Sequence, residues 1–269
     1  MDILIRFAKV EDKNALAYIW KKCFGDPEIY INFFMEHCFR PENTIVATFH
    51  NKVVGVIYML PAQLANMKFM YGYAIGVLPE FRGKNICEQM HIFLKKYAMQ
   101  ENFLYGLHPA NETLSQYYQR IGLKEMFSLR LYSENHFIHN DICIIGNVTP
   151  EEYLNIRNTH FSPLVSWNAD MLSYILGEAN QFGGFFKKII LPDHERIIFG
   201  KKSKETLYIK ETTMSDTEIL RFSNCLKRTF SANRICYVLP NSSELGERKS
   251  TILGFGEIND KVYMNLFLD

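Results

Sequence analysis

What this chain of 269 residues lacks narrows it before any motif is considered. It has no apolar run long enough to cross a bilayer. Its start, with the acidic Asp2 and no cleavable apolar stretch, does not read as a leader. The expectation is a soluble protein, neither secreted nor membrane-inserted, working in the cytoplasm. Neither charge is in excess: 30 Lys plus Arg face 29 Asp plus Glu, a net +1, which argues against a general nucleic-acid binder. Six cysteines (Cys23, Cys38, Cys87, Cys143, Cys225, Cys236) are scattered with no CxxC pair and no histidine at zinc-finger spacing. Neither a disulfide framework nor a metal is expected, and reduced thiols fit a cytoplasmic setting. Tryptophan is scarce, and Trp20 and Trp167 read as core residues. With 48% hydrophobic residues, there is enough apolar material to fill one large domain or two ordinary ones.

What is there centres on Tyr73 to Met90, YAIGVLPEFRGKNICEQM. A β-rich run ending at Val77 meets Pro79, passes through a short basic loop with Gly83, and turns into a helical pattern reaching about Ala98. Strand, loop and helix in that order put the backbone N–H groups of Arg82, Gly83, Lys84, Asn85, Ile86 and Cys87 at a helix N-terminus. Unsatisfied donors and the positive dipole end suit an anion there. Before it come a strand at Ile3 to Phe7, a helix to about Phe24 closed by Gly25, and a second helix capped by Asp26 with Pro27 in its first turn. A hairpin of Thr44 to Phe49 and Val53 to Leu60 precedes the strand that feeds the loop. Phe103 to Leu107 is the next strand, and a helix from about Glu112 to Arg120 ends before Gly122.

With this element order, the loop resembles the main motif of the GNAT superfamily of acyl-CoA N-acyltransferases. Val77, Pro79, Phe81, Arg82, Gly83 and Ile86 match, while Asn85 and Cys87 stand where Gly and a small residue are usual. Asn111, Leu114 or Ser115, Tyr118, Gly122 and Leu123 match the second motif at its expected distance. The resemblance covers about residues 1 to 135. It implies an α/β (α+β) fold, a mixed central sheet flanked by helices, with acetyl-CoA as co-substrate and no metal. It further implies cofactor contacts at Gly76, Val77, Leu78, Arg82, Gly83, Lys84, Asn85, Ile86, Cys87, Asn111 and Tyr118, with Tyr118 also the general acid. Asparagine tolerates the positive φ that a glycine would take, so the loop is expected to survive the Asn85 departure. Cys87 reads as a packing residue and Tyr117 as core.

Beyond Tyr132 the order of elements begins again. Ile142 to Gly146 reads as a strand, and Thr149-Pro150 as a capped helix start. Gly184 to Leu191, Arg196 to Gly200 and Leu207 to Thr212 read as strands, Asp216 to Arg228 as a helix, and Arg234 to Leu239 and Val262 to Leu268 as final strands. The expected domains are therefore 1–135, binding acetyl-CoA, and 136–269, a degenerate GNAT-like repeat. Where the first half has its Arg-Gly loop, the second reads Thr212-Thr213-Met214-Ser215-Asp216, without glycine or arginine.

Acyl transfer to an amine needs a neutral nucleophile, donors for a developing oxyanion and a proton for the leaving thiolate. The family's splayed strands correspond to those ending near Val77 and Leu107, with backbone N–H groups around Gly76 to Leu78 facing the thioester. The base is open between a water relay, His108 after the second strand, and the terminal carboxylate of Asp269, the group used by some tandem enzymes of the enhanced-intracellular-survival type. The leading expectation is N-acetylation of a small-molecule amine, with no nucleic-acid or membrane partner. The alternatives are a non-catalytic acyl-CoA-binding or interaction protein, consistent with Asn85 and the missing base, and an enzyme that acylates a protein N-terminus or lysine.

Overall fold

The computed structural model describes residues 2–134, 137–256, 258 and 262–265. The chain gathers into two compact units: Met1–Met126 with Ile252–Ile258, and Phe127–Thr251 with Asn259–Asp269. The boundary expected after residue 135 thus moves to Met126/Phe127, and the first unit takes back a piece from near the end of the chain.

The first unit runs β1 (Ile3–Phe7), α1 (Lys13–Phe24), α2 (Glu28–His37), β2 (Thr44–Phe49), β3 (Lys52–Leu64), β4 (Met67–Val77), α3 (Ile86–Glu101), β5 (Phe103–Leu107) and α4 (Glu112–Arg120). The strand β6 (Lys124–Glu134) begins in it and continues into the second unit. Leu16, Ile19 and Trp20 recur on one face of α1 at helical spacing and are all buried, and Gly25 at φ 77° closes the helix. Asp26 is not the cap of α2, a place held by Pro27; its carboxylate instead accepts the Trp20 indole N–H at 2.8 Å. β1, β2, β3 and β4 pair antiparallel in sequence order, and β4 pairs parallel with β5. β3 is buried almost throughout, as a central strand with helices on both faces should be.

The second unit runs β7 (Ile144–Gly146), α5 (Pro150–His160), β8 (Val165–Trp167), α6 (Ala169–Gln181), β9 (Gly184–Ile190), β10 (Glu195–Ser203), β11 (Thr206–Thr212), α7 (Asp216–Thr229) and β12 (Arg234–Pro240). The strand β13 (Glu247–Phe255) passes from it into the first unit. β7, β9, β10 and β11 pair antiparallel in order, and β11 pairs parallel with β12. That is the topology of the first unit over again, around a core that includes Ile198, Leu207, Ile209, Ile219, Leu226 and Ile235.

The closing strands are exchanged. β6, which follows α4, pairs antiparallel with β12 of the second unit, and the end of β13, which follows β12, pairs antiparallel with β5 of the first (Leu253↔Leu107 to Phe255↔Tyr105). This exchange is why the sequence boundary fell in the wrong place. Of the final strand expected at Val262 to Leu268, residues 266–268 lie outside the described residues; within 262–265 an isolated bridge between Tyr263 and Leu164 occurs, and the strand that follows β12 is β13.

Candidate active site

β4 and β5 pair in register from Lys68↔Phe103 to Gly72↔Leu107 and no further, although β4 continues to Val77. Past Gly72, the edge of β4 that faced β5 has no strand partner among the described residues. A bulge falls just there: the β3 register slips between Val56 and Tyr58, and Ala74 takes φ 43°, a conformation unusual for a residue with a Cβ. Ladder parity then decides which backbone groups face the opening. The Leu78 N–H donates to the Val54 carbonyl at 2.9 Å, so Leu78 and Gly76 belong to the rungs bonded to β3, and Val77 between them points its N–H the other way. Of the three expected donors, Leu78 is thus spent on the sheet and Gly76 faces β3, leaving Val77. The Val77 carbonyl accepts from Arg82 Nε at 3.0 Å and from the Cys23 thiol at 3.4 Å, which ties the following loop back to the strand.

The loop turns through Pro79–Phe81, then through Gly83 at φ 75° and Asn85 at φ 56°, ψ 20°, where α3 starts. Asn85 occupies the left-handed region that the sequence asked of it. A left-handed residue costs about 1–2 kcal/mol for most side chains and less for asparagine. Asn85→Ala is accordingly expected to lower stability by about 1 kcal/mol, with Asn85→Gly neutral, as thermal melts will show. Outside the helix the N–H groups of Gly83, Lys84 and Asn85 have no backbone acceptor among the described residues, and those of Ile86 and Cys87 are first-turn donors. Arg82, Gly83, Lys84 and Asn85 are all exposed. Consecutive donors in alternating left-handed turns, flanked by two cations, fit a diphosphate. The residues present therefore fit coenzyme A.

Behind the loop, one face of α3 buries Ile86, Met90, His91, Leu94 and Ala98. His91 is 3% exposed, and burial pushes its pKa down to about 4, so it is neutral. Its Nδ1 lies 2.8 Å from the Cys87 carbonyl, which can only accept; the proton is therefore on Nδ1, and Nε2 faces the Tyr105 hydroxyl at 3.5 Å. Burial pushes the Cys87 thiol up to about 11, so it is not an activated nucleophile, in line with its reading as a packing residue. The two adjacent tyrosines reverse their expected roles in packing. Tyr118 is buried at 6% exposure and Tyr117 is the partly exposed one, beside Cys87. Tyr118 packs its ring 5.5 Å from His91, its hydroxyl makes no hydrogen bond to the described residues, and burial raises its pKa well above the ordinary phenol.

The remaining sequence candidates are dispersed. His108 is exposed one residue past the end of β5. Asn111 uses its side-chain oxygen to cap α4, accepting the Leu114 N–H at 3.0 Å. Asp269 lies outside the described residues. Missed altogether was Tyr105, fully buried where β4 and β5 part; a lone tyrosine inside an apolar strand carries no signal in sequence.

In the second unit, the corresponding turn before α7 supplies its own anion. Ser215 caps the helix, and Glu218 accepts the Ser215 N–H at 2.7 Å while also holding Arg196 at 3.0 Å and His194 at 2.6 Å. Burial works to raise the Glu218 pKa, but these donors outweigh it and hold the carboxyl down at about 2.

Residues 4–126 match the family model described as acetyltransferase (GNAT) domain. No curated protein sequence matches the chain significantly. Among solved structures, the chain is similar in fold to a GCN5-related N-acetyltransferase from Anabaena variabilis, with 17% identity, 94% of this chain and 72% of that one covered, and a TM-score of 0.68. A GCN5-related N-acetyltransferase from Kribbella flavida gives 10% identity, 94% and 70% coverage, and a TM-score of 0.67. Eis1 from Mycobacterium abscessus gives 13%, 93% and 72%, and 0.65.

Proposed function

We propose that the chain is an acetyl-CoA-dependent N-acetyltransferase acting on the amine of a small molecule, a reading supported by the match of residues 4–126 to the acetyltransferase (GNAT) domain model. Acetyl-CoA, when bound, supplies an activated acyl group as a thioester. The free N–H groups from Gly83 to Cys87, with Arg82 and Lys84, hold its diphosphate, and the Val77 N–H orients the chain that leads to the thioester. Tyr118 Oη holds a proton for the departing thiolate, and burial keeps it protonated at neutral pH. β4 and β5 carry no carboxylate, so the amine's proton leaves through water, with His108 beyond the end of β5 as the group assigned to receive it. The second unit, its helix N-terminus filled by Glu218, binds no cofactor.

The observation that carries this reading is the end of β4–β5 pairing at Gly72 and Leu107, on the same strand that runs into the anion-fitted loop. Calorimetric titration with acetyl-CoA, followed by thiol release across a panel of small amines, tests it. Saturable binding of one equivalent and amine-dependent thiol release are expected. Absence of binding sinks the proposal, and binding without transfer on a broad panel favours a non-catalytic acyl-CoA-binding protein.

A further inference from the structure

We infer that Tyr105 sets the length of the acyl group this site accepts and restricts it to acetyl, an inference that rests on the site being an acyl-CoA site. A molecule anchored at the α3 N-terminus and running along the open edge of β4 passes Val77 first and reaches the end of β4–β5 pairing last. Its acyl end is therefore the part nearest Gly72 and Leu107. Tyr105 closes that end. It pairs with Met70, two residues before the last rung, and its side chain folds over Gly72, where an added Cβ would overlap the hydroxyl and meet the ring carbon Cζ at 2.7 Å.

The phenol is held on every side. It is 0% exposed, stacked on Phe255 with centroids 5.0 Å apart and planes at 27°, and its hydroxyl faces His91 Nε2. His91 is in turn pinned to the Cys87 carbonyl at 2.8 Å, which fixes the ring that the Tyr105 hydroxyl faces. His91 packs against both Tyr105 and Tyr118, with ring centroids 5.9 and 5.5 Å away, which puts Tyr105 next but one to the proposed proton donor. Each methylene beyond acetyl must displace this locked ring or distort the bulge at Ala74. Overpacking of that kind lowers affinity by about tenfold or more.

The test is calorimetric binding of acetyl-, propionyl- and butyryl-CoA to the full chain. In the wild type, butyryl-CoA is expected to bind about tenfold or more weakly than acetyl-CoA. Tyr105→Phe removes the hydroxyl that lies over Gly72 and faces His91 Nε2, keeps the stack on Phe255, and should bring propionyl-CoA to within about threefold of acetyl-CoA. Tyr105→Leu should do the same for butyryl-CoA. If the leucine variant does not fold, the wild-type series and the phenylalanine variant decide the matter. A flat wild-type series, or an unchanged gap in folded Tyr105→Phe, overturns the role of Tyr105 alone. Failure of the wild type to bind any of the three thioesters overturns the reading of the site beneath it.

Discussion

Tyr118→Phe is expected to lower turnover about a hundredfold while leaving the acetyl-CoA dissociation constant within about twofold. The substitution is close to a pure deletion of one proton. The Tyr118 ring is packed against His91 and Tyr117, contacts a phenylalanine keeps, and its hydroxyl bonds to none of the described residues, so removing it leaves no buried partner stranded. Burial raises the Tyr118 pKa, so the acid form persists through neutral pH and the wild-type rate should show no alkaline decline below the ordinary tyrosine range of about 10. Steady-state kinetics, paired with calorimetry, separate the proton from binding. Tyr117→Phe is the control: Tyr117 is partly exposed beside Cys87, and its loss should change turnover little. Unchanged turnover in Tyr118→Phe removes that residue from its assigned role.

What the sequence made legible, and what it hid, divides along the range of the interactions involved. Local geometry was readable: Asn85 was expected in a glycine-like conformation and has it, because the preference for positive φ belongs to the residue itself. The helix start capped by Thr149 was readable for the same reason, since a cap is a bond between near neighbours in the chain, although Asp26, read as a cap in the same way, bonds Trp20 instead. The exchange of β6 and β13 was not, since nothing in either strand states which parallel pair it will flank. Side-chain roles inside one helix were harder still. Tyr117 and Tyr118 differ by one position, about 100° on the helix, and only the packing of α4 against His91 selects Tyr118 for burial. Tyr105 looked like any aromatic on a buried strand until the end of the β4–β5 ladder gave it a position.

The largest stability effect is expected at Glu211, where replacement by leucine should cost about 3–5 kcal/mol in the second unit. The carboxylate is 0% exposed and fully used. Tyr153 donates to Oε1 at 2.6 Å, Tyr263 to Oε2 at 3.0 Å, and Arg157 Nε reaches both oxygens at 3.0 and 3.2 Å. Arg157 is itself 2% exposed and also donates to the Val165 and Asn265 carbonyls. Burial alone works against its charge, but Glu211 keeps it protonated, so deleting the carboxylate leaves a buried cation without its counter-charge. Arg157→Met combined with Glu211→Leu should therefore cost less than Glu211→Leu alone, a reversal that ordinary packing loss does not produce. The effect should spread to the end of the chain. Glu211 lies just past the last β11–β12 rung, Ile209↔Tyr237, and there Tyr263 and Asn265 fill the gap, the Asn265 amide donating to the Lys210 carbonyl. Hydrogen exchange at Tyr263, measured beside urea unfolding, should rise sharply in the single variant. A loss below about 1 kcal/mol, or a double variant as unstable as the single, would mean that the buried Glu211–Arg157 pair does not hold this part of the second unit together.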